Sequence, residues 1–273
     1  MSRVLVRGSF DALGSRHVRF LQEGSRLGDV HVELWSDEDV RRLSGKAPSF
    51  PQEERRYVLE SIRYVTSVSF ADAGRDPDSV SLGGTPRPDL WAMEEGEDVP
   101  ARHEFCASNG IQVAVLGAGT RAGFPDDGPI GGQSGAPRPK VVVTGCFDWF
   151  HSGHVRFFEE VSALGGLYVI VGSDANVRLL KGDGHPLHPQ EERRYMTAAV
   201  RRVTCSLIST GSGWMDAEPE IRLLSPDMYA VNEDGDKPEK REFCRQNGIQ
   251  YVVLKRTPRP GLARRTSTDL RGF

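Results

Sequence analysis

The stretch VVVTGCFDWFHSGHVRFF, residues 141–158, decides the fold of this 273-residue chain. It opens as an apolar β-branched run, the pattern of a strand covered on both faces. It breaks at Gly145, then resumes with Val155, Phe158 and Val161 at helical spacing. A buried strand that turns through glycine into a helix is the opening unit of an α/β fold. An altered copy of the same frame, FDALGSRHVRF at residues 10–20, answers FDWFHSGHVRF at residues 147–157.

The echo continues along the chain. VRGSFD answers VTGCFD, LWSDEDVRRLSG answers VGSDANVRLLKG, and PQEERRY occurs at 51–57 and again at 189–195. RPDLWAMEEGED answers SPDMYAVNEDGD, and NGIQVAVL answers NGIQYVVL. The offset is 137 at the opening (10 against 147) and 138 later (51 against 189), one residue being inserted near Asp183. Shared order over this length marks a duplicated domain. Between the copies lie residues 117–139, of which 11 of 23 are Gly or Pro, a composition that propagates neither helix nor strand. The expected layout is one domain over 1–116, a linker over 117–139 and a second domain over 140–273.

In the second copy, strands are expected over 140–145, 167–172, 205–208, 227–231 and 251–254. Helices are expected over 154–164, 191–200 and 238–247. This alternation predicts a parallel sheet flanked by helices, with the ligand crevice at the carboxyl ends of the strands.

Hydrophobic residues make up 38% of the chain and charged ones 27%, enough to bury a core. A net charge of −3 offers no concentrated basic face for nucleic acid or membrane. No apolar run is long enough to span a bilayer, and residues 4–6 read as a short strand rather than a leader. The four cysteines have neither CxxC nor zinc spacing. Cys106 and Cys244 occupy matching places in the copies and are expected as buried, reduced thiols. The cytoplasm is the expected compartment.

The chemistry concentrates in TGCFDWFHSGH, at the first strand-to-helix turn. In helical geometry His151 and His154, three apart, point the same way. The helix N-terminus offers N–H groups and a favourable dipole for phosphate, and Gly153 lets a ligand approach the backbone. Two imidazoles there suit in-line attack at a nucleotide's α-phosphate, where their N–H groups stabilise developing charge. By spacing alone a structural pair of histidines is the other reading.

These residues resemble the cytidylyltransferase-like nucleotidyltransferase family, in which a strand leads into an HxGH motif and a later STT-type signature closes the nucleotide site. The resemblance implies two tandem Rossmann-like HxGH nucleotidyltransferase domains, an α/β architecture. It implies catalytic roles for His151, His154 and Lys181, the last in GSDANVRLLKG. It implies nucleotide contacts from Thr144, Gly145, Phe147, Asp148 and Gly153. EERRY resembles the family's ER-containing helix, giving Arg193 or Arg194, with Asp174, an acceptor-site or structural role. RRTSTDL at 264–270 resembles the RTxGISTT signature, with Ser267 and Thr268 on its hydroxyl positions. Its arginine is matched by Arg265 or by Arg256, since an insertion separates RT from ST. Asp148 and the acids of NEDGD, residues 232–236, are candidates for the base, the ribose or a magnesium ion, or else plain surface acids; the metal ligands themselves stay unassigned.

The first copy serves as an internal control. Gly14 stands where His151 is, Arg16 where Gly153 is, and Ser44 where Lys181 is, while His17 matches His154. Scaffold kept and chemistry lost predicts a first copy that does not catalyse. The tandem plan is similar to that of the ethanolamine-phosphate cytidylyltransferases, with one copy degenerate.

The expected activity is CMP transfer from CTP to a small phosphorylated alcohol, releasing pyrophosphate, with magnesium. The alternatives are adenylyl transfer from ATP to a sugar phosphate, and a non-catalytic nucleotide-binding protein. The expected partners are CTP or ATP and a small phosphorylated acceptor, with the two domains pairing within the chain and homo-oligomer formation left open.

Overall fold

The alternating apolar runs become two parallel sheets of five strands in a computed structural model that describes residues 2–72, 76–80, 82, 87–125 and 139–266. The chain divides into two units, Met1–Gly123 and Phe124–Phe273. The first runs β1 (Arg3–Gly8), α1 (Ser15–Leu27), β2 (Asp29–Leu34), α2 (Asp37–Ser44), α3 (Gln52–Ser61), β3 (Ser67–Phe70), β4 (Leu90–Glu94), α4 (Pro100–Asn109) and β5 (Gln112–Leu116). The second runs β6 (Lys140–Gly145), α5 (Ser152–Ser162), β7 (Gly166–Val171), α6 (Asp174–Lys181), α7 (Gln190–Ala198), β8 (Val203–Ile208), α8 (Glu218–Leu224), β9 (Met228–Asn232), α9 (Pro238–Asn247) and β10 (Gln250–Leu254).

The sheet orders are β3-β2-β1-β4-β5 and β10-β9-β6-β7-β8. Both are the same doubly wound order read from opposite edges. In each, the winding reverses beside the first strand, so the crevice of the second unit opens between β6 and β9. Alternate residues of β6 go to opposite faces: Val141 and Val143 join Phe158 and Val161, whereas Val142 joins Ile221 and Tyr229. Two buried faces explain why the strand reads as continuously apolar. Cys106 and Cys244 lie buried in α4 and α9 as free thiols.

Two helices were not expected. The chain enters α6 through Ser173, whose Oγ accepts the Asn176 N–H at 3.3 Å, an N-cap built by a short polar side chain. The other, α8, is short and carries its proline in the first turn, where no N–H bond is lost. The expected linker is also shorter at its start. Residues 117–123 are tied to the first unit, where Arg19 donates to the Thr120 carbonyl at 2.8 Å and Arg121 pairs with Glu94 at 3.0 Å. Among the described residues no helix is long and apolar enough to cross a membrane.

One buried side chain holds the strand ends of the second unit together. Arg193, 1% exposed, donates to the carbonyls of Cys146 (2.7 Å), Gly172 (2.8 Å) and His188 (2.9 Å) and pairs with Asp174 at 2.6 Å. Asp148 accepts the N–H groups of Leu187 and His188 at 2.9 Å each. The first unit repeats the set: Arg55 donates to the carbonyls of Ser9 and Phe50 and pairs with Asp37, and Asp11 accepts from Ser49 and Phe50. Asp174 is partly exposed, so the main cost of losing Arg193 is its buried carbonyl partners left unsatisfied, about 1–3 kcal/mol. Arg193→Met should therefore lower the opening free energy of the β6 and β7 amides in native-state hydrogen exchange by about that much. Unchanged protection would contradict the assignment.

Candidate active site

The turn between β6 and α5 is built around Phe147, whose φ of 52° is rare for a side chain of this size. Its ring folds back over Gly145, where a Cβ would lie 2.9 Å from ring carbons. Phe10 repeats the geometry in the first unit with φ 46° over Gly8. The G-x-F-D frame is thus a backbone device common to both copies.

His151 is the N-cap of α5, with extended backbone, and its Nδ1 accepts the Gly153 N–H at 3.0 Å. That bond leaves its proton on Nε2. The ring is 2% exposed and lies stacked on His154, with centroids 3.9 Å apart and planes at 23°. Gly153 is required here, since a Cβ would sit 2.8 Å from the His151 ring and 3.3 Å from the Arg265 carbonyl. The two rings lie side by side, but His151 is placed there by the extended N-cap backbone and not by helical spacing. His151 lies outside the helix, caps one of its free N–H groups and backs His154 from behind.

His154 lines a cleft of about 380 Å³ over the carboxyl ends of β6 and β9, together with Thr144, Gly145, Phe147, Lys181 and Arg256. Phe147 meets its ring edge-on at 5.2 Å, and Phe150 lies 5.8 Å away. Burial, reinforced by the neighbouring His151, Arg256 and Lys181, holds the His154 pKa well below the ordinary histidine value. The imidazole is neutral at pH 7 and can donate one N–H to a phosphate oxygen without carrying charge.

Other expected residues are engaged elsewhere. Asp148, Asp174 and Arg193 are spent on the turn network, and the first unit keeps equivalents of all three without the HSGH pair. Arg193 thus takes the structural one of the two roles expected of it, and Asp148 and Asp174 bond within the same turns. Arg194 does not line the cleft. Arg256 does; it pairs with Asp234 and donates to the Arg265 carbonyl at 3.3 Å, whereas Arg265 meets Gly153 through its backbone. Ser267 and Thr268 lie outside the described residues.

Among the cleft residues that sequence reading missed are Asn176, Trp214, Asp216 and Lys240. Asn176 clasps the backbone of Gly213 through two hydrogen bonds of 2.7 and 3.2 Å. Lys237 places its ammonium 4.6 Å over the Trp214 ring. Only a comparison of the copies could have flagged Lys240, whose counterpart is Arg102. Among the described residues no group of three His, Cys, Asp or Glu side chains is placed to hold a metal, and the cleft acids Asp216 and Asp234 already serve Ser209 and Arg256.

The same crevice of the first unit is filled by internal pairs. Arg16 and Arg121 both pair with Glu94, Arg7 pairs with Glu33 at 3.0 Å, and Arg102 pairs with Asp78 at 2.9 Å. His17 turns its Nδ1 to the Gly14 N–H at 3.2 Å.

A family model described as cytidylyltransferase-like matches residues 142–256. The FAD synthase of Ferroglobus placidus is 37% identical over 119 residues, covering 42% of this chain and 74% of that protein. The bifunctional protein HldE of Nitratiruptor sp. is 42% identical over 95 residues, covering 34% of this chain and 20% of its own length. Among solved structures, a lipopolysaccharide core biosynthesis protein from Thermoplasma volcanium overlays with TM-score 0.37 at 21% identity, covering 44% of this chain and 97% of that one. With its HxGH turn, the family match and the FAD synthase similarity over 74% of that protein, the chain belongs to the cytidylyltransferase-like family of nucleotidyltransferases.

A histidine whose pKa is depressed on folding binds fewer protons in the native than in the unfolded state near pH 6. Stability should then fall as the pH is lowered through the ordinary histidine range, from about 7 to about 5. His154→Asn should lessen that slope in melting curves recorded over this range. An identical slope in the variant would show that His154 is not held neutral.

Proposed function

We propose that the second unit transfers a nucleoside monophosphate from a nucleoside triphosphate, ATP by preference, to the phosphate of a small acceptor. An acceptor phosphate oxygen attacks the α-phosphorus, the bond from that phosphorus to the bridging oxygen breaks, and pyrophosphate leaves with the bonding electron pair. The observation that carries this reading is the convergence of neutral His154 with Lys181 and Arg256 on one cleft. Two cations and one N–H donor match the charge that develops on the phosphoryl oxygens in an in-line displacement. His151 acts through His154 by fixing its plane.

ATP is preferred as donor because the relatives include proteins named for making FAD, an adenine dinucleotide. The family model's cytidylyltransferase-like description favours CTP with a phosphorylated alcohol as the second reading. Magnesium would enter with the triphosphate, and no step here is assigned to it. The first unit is proposed as a non-catalytic partner, because its cations are neutralised internally and it has Gly14, Arg16 and Ser44 where the second unit has His151, Gly153 and Lys181.

Pyrophosphate release from the full-length chain, with ATP or CTP over a panel of phosphorylated acceptors, tests the reading. His154→Ala should lower turnover by about 10²–10³-fold, the usual loss for one transition-state donor. His17→Ala should leave turnover within about twofold, as for a substitution away from the reacting groups. Turnover with CTP alone would displace ATP as donor. Full turnover of the His154→Ala enzyme would remove His154 from the chemistry.

A further inference from the structure

The cleft of the second unit holds cations in two separate places. Lys181 and Arg256 form one group around the neutral His154, on which their charges bear. Lys240 stands apart in the first turn of α9. It is 8% exposed, its Nζ donates to Thr144 Oγ1 at 3.3 Å, and it lies 5.6 Å from the centre of the Tyr229 ring. Among the described residues its ammonium has no ion-pair partner. Asp216 lines the same cleft, but its Oδ2 accepts the Ser209 hydroxyl at 2.6 Å.

The first unit shows what this position looks like when it is closed. Arg102, 9% exposed, packs 5.3 Å over Trp91, as Lys240 packs against Tyr229. Its guanidinium is neutralised by Asp78 at 2.9 Å and Glu97 at 3.7 Å. At the offset of 138, Asp78 becomes Asp216, which does not pair with the lysine, and Glu97 becomes Gly235. The second unit has kept the buried cation and lost one of its two counter-charges; the other, Asp216, still acts on the ammonium through its charge but bonds to Ser209 and forms no ion pair with it. A buried ammonium is costly without an anion, and this one borders a cleft from which an anion can reach it.

We propose that Lys240 is a specificity-determining residue for the acceptor, taking a second anionic group, a carboxylate or a phosphate, remote from the phosphate that reacts. This rests on the nucleotidyl-transfer reading above and narrows its acceptor. The triphosphate and the reacting phosphate must meet beside His154, where Lys181 and Arg256 already supply charge. Lys240 is left for a group further along the acceptor. A cationic tail, as on phosphoethanolamine, would face Lys240 and be disfavoured.

The test uses the full-length chain, its Lys240→Met and Lys240→Arg variants, ATP with magnesium, and matched acceptors. Glucose 1,6-bisphosphate is set against glucose 1-phosphate, 3-phosphoglycerate against glycerol 3-phosphate, and phosphoethanolamine stands alone. The wild type should prefer the doubly anionic member of at least one pair, and which pair tells phosphate from carboxylate. Lys240→Met should lose about 30-fold or more of that preference, mostly through the acceptor KM, the ordinary scale for truncating one side of a buried charge contact. Lys240→Arg should restore part of it. A preference unchanged in Lys240→Met, or a loss falling on the KM of ATP instead, would overturn the inference. If the wild type releases pyrophosphate with no acceptor, the transfer reading fails separately. Calorimetric binding of the same five compounds then decides: weaker binding of a doubly anionic compound to Lys240→Met supports the role, and equal affinity overturns it.

Discussion

The buried guanidinium of Arg193 is the interaction on which the second unit's cleft depends. One planar group joins the ends of β6 and β7 to the entry of α7, by donating to the carbonyls of Cys146, Gly172 and His188 and pairing with Asp174. A guanidinium pays for its burial only when its donors are nearly all satisfied, and this one meets four acceptors in fork geometry. Phe147 and His154 are positioned from the strand end that it pins. Arg55 does the same work in the first unit, where no HSGH pair follows. The constraint therefore belongs to the fold and precedes the chemistry.

On that shared frame the two units differ in how far their cations are paired. The first neutralises its cations inside the crevice, through Glu33, Glu94 and Asp78. The second keeps His154 neutral by burial and, among the described residues, leaves Lys240 without a direct ion pair. Buried groups left partly unsatisfied cost stability, and proteins accept such local inconsistency where a ligand completes the set. The change from closed to open takes few residues, because the backbone around Gly8 and Phe10 already matches that around Gly145 and Phe147.

Much of the fold was legible in the sequence. The apolar runs become β6 to β10 within a residue or two, and the repeat maps one parallel sheet onto the other. The short helices α6 and α8 escaped, because eight- and seven-residue segments carry little periodicity of their own. At the site, His154 and Lys181 were legible from the HSGH turn and the segment that follows it. The backbone bonds of Asp148 and Arg193 and the pairing of Asp174 were not legible, because a charged residue near a crevice reads alike whether it meets a ligand or the protein itself. Carbonyl groups that must be satisfied inside a fold leave no mark in a residue string.

The sequence by itself determined the duplicated α/β frame and the inequality of the two HSGH positions, since both follow from local periodicity and from comparing one half with the other. Only the tertiary structure decided that His151 caps and supports while His154 faces the cleft. It likewise decided that Arg256 rather than Arg265 lines the cleft, and that Lys240 comes to lie against Thr144, 96 residues earlier in the chain. These outcomes depend on burial and on pairings between distant strands, whose energies exist only once the sheet has closed around them.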